Sequence, residues 1–402
     1  KTYKYAYKVM IFVQMRIEAI NPSSHSRTWH EVLYWIQFVN LVLSISCNLL
    51  RLQEVFASRD INKIFRMLPC LGYLVLGILK SYKMILQRPV FENLVNELRD
   101  MWPTGSIPPE DRAIVKKALK ELNILLSGYY VCNYLLGFSF IAPSYLDIIK
   151  RAAGHDTPKV LPYLYWTPYD DTQPGYFEFT LTMQAWHTMI TLWFMLCGDL
   201  LFCIFLSHIS MQFDLLSTRI RRLIYVPIDK QLIAEYPLGI YSNYISKTSI
   251  NEQFMPENEN IQTYELEMRD IIKRHKALIR LANDVEDLFS FAVFFNFLYG
   301  SLIICFCGFC VRVEKVDEFM YKSFLTTALA QLWLLCWFGQ KLLDSSTGMT
   351  NALYDCGWYR ASNKVKISIL IMMHRAQKDV HVTTYGFSVI SLASYTTVIF
   401  CL

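Results

Sequence analysis

Long apolar runs separated by polar segments are the dominant pattern along this chain. About 20 apolar residues suffice to cross a bilayer as one helix, which satisfies its own backbone hydrogen bonds. The runs of this kind are residues 33–50, 64–86, 122–143, 183–205, 288–311, 324–343 and 385–402. The pattern therefore predicts an all-α integral membrane protein with seven transmembrane helices.

Helical periodicity continues beyond several of these runs. Apolar residues recur at helical spacing through residues 261–287 and lead into the fifth run without a helix breaker. We expect the fourth, fifth and sixth spans to extend into the cytosol and to pack there with residues 341–366 as a helical anchor bundle. The polar stretch 236–260 is expected to be mobile, and residues 1–20 to form an amphipathic helix.

Composition and charge sharpen this picture. The 402 residues are 53% hydrophobic and only 18% charged, which is too apolar for an ordinary soluble protein. With the amino terminus in the cytosol, the inner segments hold 27 of the 39 Lys and Arg residues, and the outer segments hold 10. Because short cytoplasmic loops carry the excess of positive charge, we expect a cytosolic amino terminus and an extracellular carboxyl terminus.

The outer segment between the third and fourth spans, residues 144–178, is rich in proline and aromatic residues. These are Pro158, Pro162, Tyr163, Tyr165, Trp166, Pro168, Tyr169 and Pro174. Such a composition suits an ordered loop rather than a flexible linker. We expect it to form an extracellular cap over an opening in the bundle.

The carboxyl-terminal part of the chain is a helix pattern with a polar break. An apolar run at 365–373 is interrupted at 374–378, and residues 385–402 then predict a final apolar helix that carries hydroxyl groups. One stripe of this helix holds Thr384, Ser388, Ser391 and Tyr395, and an adjacent stripe holds Ser394, Thr397, Val398 and Cys401. Hydroxyl groups at this spacing suit either contacts with neighbouring helices or the wall of a water path.

This part of the chain resembles the carboxyl-terminal region of insect odorant receptors. The resemblance rests on Phe338-Gly339-Gln340, Ala352-Leu353-Tyr354 followed by Trp358, His374-Arg375-Ala376-Gln377, and Ser394-Tyr395. It implies an odorant-gated, non-selective cation channel in which the last helix of each of four subunits lines a central pore. Candidate pore residues are Ser394, Thr397, Val398 and Phe400, with bulky side chains at 398–400 closing the pore by dewetting.

The resemblance also implies a pocket for a small volatile odorant among spans two to six. Aromatic and apolar residues near the predicted outer leaflet are the candidates: Tyr73, Tyr134, Phe138, Met183, Trp186, His187, Ile190 and Phe319. His187 or a tyrosine hydroxyl could supply a polar contact in such a pocket. Aromatic residues at this depth also form the usual interfacial belt or pack in the core, so both interpretations stay open.

With this resemblance the chain divides into six regions. They are a cytosolic amino-terminal segment (1–30), spans one to four with the cap (31–211), a cytosolic loop and helix (212–287), spans five and six (288–343), a cytosolic anchor (344–380) and the pore helix (381–402). The chain does not begin with Met and ends in an apolar run, so we expect a few further residues beyond each end.

Asp199 is the one acidic residue inside the fourth span. A carboxylate at membrane depth is costly unless it is paired or hydrated, so it either has a functional role or holds helices together through polar partners. The motifs of zinc peptidases, phosphate-binding loops and serine hydrolases are not found. We therefore expect neither an enzyme nor a bound metal or cofactor, and most cysteines are interpreted as small buried hydrophobic residues.

Three classes of membrane protein share features of this pattern. A G-protein-coupled receptor explains only the seven spans, because neither Asp-Arg-Tyr after span three nor Asn-Pro-x-x-Tyr in the last span occurs. A transporter is expected to contain two half-repeats, which the sequence does not have. A gustatory receptor subunit is the alternative within the channel class, although its terminal Gln-Phe is replaced by Cys401-Leu402.

The favoured interpretation is an odorant-tuning subunit at the plasma membrane of sensory neurons. Its expected partners are a small volatile odorant, an odorant receptor coreceptor in a heterotetramer, membrane lipid and permeating cations, with no nucleic acid.

Overall fold

The computed structural model describes residues 27–103, 107–155, 157, 159–223, 258–313 and 318–401. Helices dominate these ranges, and the all-α prediction is confirmed there. They are α1 (Arg27–Ala57), α2 (Ile61–Leu86), α3 (Arg88–Asp100), α4 (Pro109–Ala152), α5 (Tyr176–Leu223), α6 (Asn258–Val313), α7 (Glu318–Asp355), α8 (Asn363–Ala376) and α9 (Leu392–Cys401). The predictions for residues 1–20 and most of 236–260 lie outside the described residues.

Helix α5 is the centre of the bundle. In its most apolar stretch 94% of residues are buried against other helices, compared with 22% for the corresponding stretch of α1. A helix that is apolar on every side needs neighbours all round, and α2, α4, α6 and α7 each pack directly on α5. The residues of α5 therefore determine much of what the interior of the bundle contains.

Four helices within the described ranges are long and apolar enough to cross a membrane, by length and composition. They are the segments Glu31–Ala57, Pro109–Ala152, Tyr176–Leu223 and Glu265–Cys310, and α2 contributes the shorter apolar stretch Met67–Lys80. The count of seven spans, the cytosolic amino terminus and the boundaries of the six regions stay predictions.

Long helices continue beyond the apolar spans, as the periodicity predicts. Helix α6 runs without interruption through the predicted fifth span, and α7 extends past residue 343 to Asp355. Salt bridges link these extensions: the Arg219 guanidinium of α5 donates to Glu267 and Asp270 of α6 at 3.1 and 2.6 Å. Helix α8 buries Ile369 and Met372 in the same packed region.

The last helix begins at Leu392, so the predicted helix over 385–402 is wrong in its first part. Thr383 and Val389 pair as an isolated antiparallel bridge, and Tyr385 and Gly386 have φ angles of 53° and 80°. These left-handed conformations end any helix, so the segment forms a tight turn instead. Thr384 and Ser388 belong to that turn, and the stripe predicted to join them with Ser391 and Tyr395 does not form.

The Phe338-Gly339-Gln340 segment holds the start of α9 against α7. Phe338 is fully buried, and a Cβ added at Gly339 would lie 2.5 Å from the carbonyl oxygen of Ile390. Only glycine permits so close an approach of the backbone. The Gln340 Oε1 atom accepts a hydrogen bond from the backbone N–H of Leu392 at 3.4 Å. This contact satisfies one of the free N–H groups at the start of α9.

Candidate functional site

A cavity of about 50 Å³ lies inside the bundle, between α1, α2, α4, α5 and α7 and beneath the loop that precedes α5. Its lining residues are Asn48, Cys70, Tyr73, Leu74, Leu136, Gly137, Phe140, Tyr163, Tyr165, His187, Thr188, Thr191, Leu192 and Phe324. Most of this wall is aromatic or aliphatic. A cavity of this kind suits a small apolar molecule that carries one or two polar atoms.

Aromatic rings form one wall of the cavity. The ring of Phe140 stacks on Tyr163 at 5.3 Å between centroids and meets Phe324 edge-on at 5.9 Å. Tyr73 meets Phe324 edge-on at 5.6 Å. Stacked and edge-to-face pairs of this kind are favourable arrangements, so three helices and the loop share one aromatic cluster.

The loop between α4 and α5 closes the cavity. The Gln184 side chain of α5 donates to the Tyr163 carbonyl and accepts from the Tyr163 N–H, both at 3.0 Å. The Trp166 N–H donates to the Cys47 carbonyl of α1 at 3.3 Å. These backbone contacts hold the loop in place and turn Tyr163 and Tyr165 inward as part of the wall.

A buried polar cluster, here called the hub, lies about two to three helical turns further along α5. It consists of Lys80, Tyr129, Asp199, Asn296 and Gln331, from five different helices. Lys80 Nζ donates to Asp199 Oδ1 at 2.6 Å, and both side chains are 3% exposed. The remaining bonds to the Asp199 carboxylate come from Tyr129 Oη at 2.8 Å, Gln331 Nε2 at 2.9 Å and Asn296 Nδ2 at 3.4 Å.

Hydrogen bonds connect the hub to the cavity. The Tyr73 hydroxyl, on the cavity wall, donates to Asn133 Oδ1 at 2.7 Å. The Asn133 amide in turn donates to the Tyr129 carbonyl at 2.9 Å, and the Tyr129 side chain bonds Asp199. Asp199 thus joins helices through polar partners, which is one of the two roles expected from the sequence. Its salt bridge with Lys80 was not foreseen, although Lys80 is a cation inside the predicted second span.

The structure brings two of the eight predicted ligand residues to the cavity, Tyr73 and His187. Ile190 is fully buried outside the lining, and half-buried Tyr134 accepts a hydrogen bond from Trp193 Nε1 at 3.2 Å. The other four side chains lie on the outer surface, with exposed fractions of 64% for Phe138, 37% for Met183, 48% for Trp186 and 65% for Phe319.

Sequence reasoning missed most of the residues that line the cavity. Phe140, Thr188, Thr191 and Phe324 lie in predicted spans but were not selected, and Tyr163 and Tyr165 were assigned only to the cap. The available signal was proximity: Thr188 and Thr191 are one and four residues from His187, and Phe140 is two residues from Phe138.

The last helix borders a second, open cleft of about 430 Å³. Three predicted pore residues, Ser394, Thr397 and Val398, line it together with Phe294, Phe297, Leu298 and Ser301 of α6. Phe400 lies on another side of α9 and is 89% exposed. The four predicted pore residues therefore do not share one face of the helix.

Known proteins match this chain over most of its length. The family model described as 7tm odorant receptor matches residues 60–401. Odorant receptor 85c of Drosophila melanogaster is 22% identical over 400 residues, covering 97% of this chain and 94% of that protein. Odorant receptor 67c of the same species is 25% identical over 336 residues, covering 82% of this chain and 75% of that protein.

The fold is similar to that of the insect olfactory receptor OR5 from Machilis hrabei, solved in complex with eugenol. The TM-score is 0.78 at 14% sequence identity, covering 99% of this chain and 95% of that chain. Because the family model covers most of the sequence, this chain belongs to the 7tm odorant receptor family of insects, whose members are odorant-gated cation channels of membranes and not enzymes.

Proposed function

We propose that this chain is an odorant-tuning subunit that binds a small volatile ligand in the cavity beneath the cap loop. The observation that carries the proposal is the cavity in the interior of the bundle, with its mainly aromatic and aliphatic wall. Volatile molecules offer few polar atoms, so a site for them depends on shape, dispersion and one or two polar contacts. The lining has this character: aromatic and aliphatic side chains with a few interspersed hydroxyl groups and one imidazole.

The cavity has to expand to hold an odorant. A dry apolar cavity of about 150 Å³ can bind benzene, whereas this one measures about 50 Å³. Ligand entry therefore requires side chains of the wall to move outward. Tyr163 and Tyr165 are suited to such a movement because they lie on the loop, whereas the other wall residues lie on packed helices.

The pore of the proposed channel is lined by the free face of α9. Ala393, Thr396, Thr397 and Phe400 follow one another at helical spacing and are all exposed in the single chain. The hydroxyl groups of Thr396 and Thr397 donate to the Ala393 carbonyl at 2.8 and 2.9 Å, so their lone pairs remain available to water or cations. On this proposal Thr396 and Ala393 join Thr397 and Phe400 at the pore. Ala393 and Thr397 also border the open cleft beside α6, in which Ser394 and Val398 are the less exposed residues.

We further propose that the pore is completed by other subunits, with an odorant receptor coreceptor as the partner in a heterotetramer. A single α9 cannot enclose a conduit, and its exposed face needs neighbours that pack around a common axis. A helix that mixes hydroxyl and apolar side chains suits a pore that is hydrated when open and dewetted when closed. The site of action is then the plasma membrane of sensory neurons.

The proposal is tested by recording membrane currents from cells that express the chain with an insect coreceptor, under a panel of volatile aromatics, esters and alcohols. We expect cation currents that persist when G-protein signalling is blocked and that require the coreceptor. No current under any volatile in the presence of the coreceptor would contradict the proposal.

A matched pair of variants tests the cavity itself. Thr191 lines the cavity, and Thr182 is exposed on the same helix; each hydroxyl donates to the carbonyl four residues earlier at 2.8 Å. Overpacking a filled site costs about 1–3 kcal/mol, so Thr191→Leu should raise the half-maximal odorant concentration at least about fivefold. Thr182→Leu should leave it unchanged. Equal potency in the two variants would place the ligand elsewhere.

A further inference from the structure

Most polar groups on the cavity wall are already bonded within the chain. The hydroxyl groups of Thr188 and Thr191 each donate to the carbonyl four residues earlier, at 2.8 Å. The Asn48 amide does the same at 2.9 Å, and the Tyr73 hydroxyl donates to Asn133 at 2.7 Å. A ligand that bonded to one of these groups would have to share it with an existing partner.

His187 is different because half of its hydrogen-bonding capacity is unused. The ring is 5% exposed, and its Nε2 atom lies 2.8 Å from the Asn40 Oδ1 atom of α1. Its Nδ1 atom is buried and has no hydrogen-bond partner among the described residues. A buried polar atom in this state is rare in folded proteins and calls for an explanation.

The contact with Asn40 determines what Nδ1 can bind. In this arrangement the Asn40 amide oxygen faces Nε2 and only accepts, which assigns the imidazole proton to Nε2. The neutral ring then presents a lone pair at Nδ1 and no proton there. A group that binds at Nδ1 must therefore donate a hydrogen bond.

We propose that His187 Nδ1 accepts a hydrogen bond from the ligand, and that the chain is tuned to volatile alcohols and phenols. This inference rests on the proposed function, because it assumes that the odorant occupies the cavity. An uncharged hydroxyl group supplies the donor, while the hydrocarbon part packs against Phe140 and Phe324. A protonated amine would also donate, but bringing its charge into this apolar wall would oppose binding.

The ligand preference follows from the His187 Nδ1 atom, which a ligand without a donor leaves unbonded. A ligand of the same size that lacks a donor fills the cavity but leaves Nδ1 unpaired, and sites built to bond a hydroxyl group reject such analogues. Ethers, esters and ketones accept hydrogen bonds without donating, so they cannot satisfy this atom. The ring of Tyr165, centred 5.9 Å from that of His187, restricts the approach to a small terminal group.

Constitutional isomers provide the direct test. Benzyl alcohol and 4-methylphenol have the same atoms as methyl phenyl ether, and 1-hexanol has the same atoms as dipropyl ether. With the full chain and a coreceptor, we expect the donor isomer of each set to be about tenfold or more potent than the ether. Equal potency, more potent ethers, or no response to any donor isomer would overturn the proposal.

Two substitutions at His187 separate the acceptor from the contact with Asn40. In His187→Gln the amide nitrogen can replace Nε2 and still donate to Asn40, but no acceptor remains at the position of Nδ1. In His187→Asn the amide oxygen can replace Nδ1. We expect the alcohol-to-ether potency ratio to fall to about one in the first variant and to be largely retained in the second.

Substitutions at Asn40 test the tautomer. Asn40→Asp keeps the acceptor oxygen and should preserve the preference for alcohols, whereas Asn40→Leu frees the proton to move to Nδ1 and should abolish it. Failure of this inference is distinct from failure of the cavity proposal. If Thr191→Leu weakens every ligand but His187→Gln leaves the ratio unchanged, the cavity is the site and the donor preference is wrong.

Discussion

The cavity and the hub lie on the same central helix but differ in how completely their polar groups are bonded. In the hub, the Asp199 carboxylate receives four hydrogen bonds, from Lys80, Tyr129, Asn296 and Gln331. In the cavity, space remains and the Nδ1 atom of His187 is unpaired. A fully bonded cluster resists rearrangement because any shift exposes a buried charge, whereas a partly bonded cavity can accept a new partner.

This comparison teaches that polar residues inside one apolar bundle have two separate uses. Those of the hub join five helices and specify how they pack, at a site that offers a ligand almost no room. Those of the cavity lie next to the loop that precedes α5 and leave the Nδ1 atom of His187 without a bond. The two regions are linked through Tyr73, Asn133 and Tyr129, so a ligand bound at the wall as proposed would contact the same network that joins the helices of the hub.

Breaking the hub should have the largest effect on stability. Asp199→Leu leaves the Lys80 ammonium buried without a counter-charge, and removing one member of a buried pair costs about 3–5 kcal/mol. The double variant Lys80→Met with Asp199→Leu should recover most of this loss, because an apolar pair of similar volume is tolerated. Thermal unfolding of the detergent-solubilised protein measures both effects.

An exposed pair on α2 provides the control for the hub. Lys63 lies 2.9 Å from Asp60 with its side chain 54% exposed, so Lys63→Met should change stability by less than about 1 kcal/mol. If Asp199→Leu proved no more harmful than Lys63→Met, the hub would not be the stabilising cluster described above.

Enlarging the cavity should change which ligands fit. Phe140 is buried in the aromatic wall, and Phe138, two residues earlier, is 64% exposed on the outer surface. Phe140→Ala should shift the most potent ligands of a homologous alcohol series toward longer chains, by about one to three carbon atoms on volume grounds. Phe138→Ala should leave the series unchanged. A shift in the Phe138 variant alone would favour the outward aromatic residues as the binding site.

Loosening the cap loop should have the smallest effect and should appear in kinetics. Gln184→Leu removes both hydrogen bonds to the Tyr163 backbone, each worth about 0.5–1.5 kcal/mol. We expect currents to decay several-fold faster after odorant is removed, because the loop opens more readily. Gln173, an exposed loop residue whose amide donates to Asp170 at 3.4 Å, provides the control as Gln173→Leu. Unchanged decay in Gln184→Leu would show that the loop does not limit ligand release.

Helix positions were predictable from the sequence, whereas the inward face of each helix was not. In a soluble protein, apolar residues mark the buried side, but in a lipid-facing helix both sides are apolar. Phe138 and Phe140 differ by two positions, which places them on nearly opposite faces, and nothing in the sequence distinguishes core from lipid contact. The same ambiguity explains why Trp186 was selected and Thr188 was not.

Polar residues within the apolar spans indicate buried sites more reliably than aromatic residues do. The cost of a carboxylate at membrane depth marks Asp199 as a candidate, and His187 is a candidate for the polar contact of an odorant pocket; both side chains are buried. Their partners Lys80 and Asn40 were not identified, because the pairing depends on how helices distant in sequence pack. The start of α9 was misplaced because the turn at Tyr385 and Gly386 is built from residues that also fit a helical stripe.

Helix α7 is one uninterrupted helix that contacts the cavity, the hub and the start of α9. Phe324 lies at the cavity, Gln331 at the hub and Gly339 against the start of α9, and at 1.5 Å per residue they are separated by about 10 Å and about 12 Å along the axis. Gln331 of the hub therefore lies near the midpoint between Phe324 and Gly339 along α7. A tilt of about 6° around Gln331 would displace Phe324 and Gly339 by about 1 Å each, in opposite directions. The two positions would move by nearly equal distances in opposite directions. The outward displacement of the Phe324 ring would therefore determine how far the start of α9 shifts.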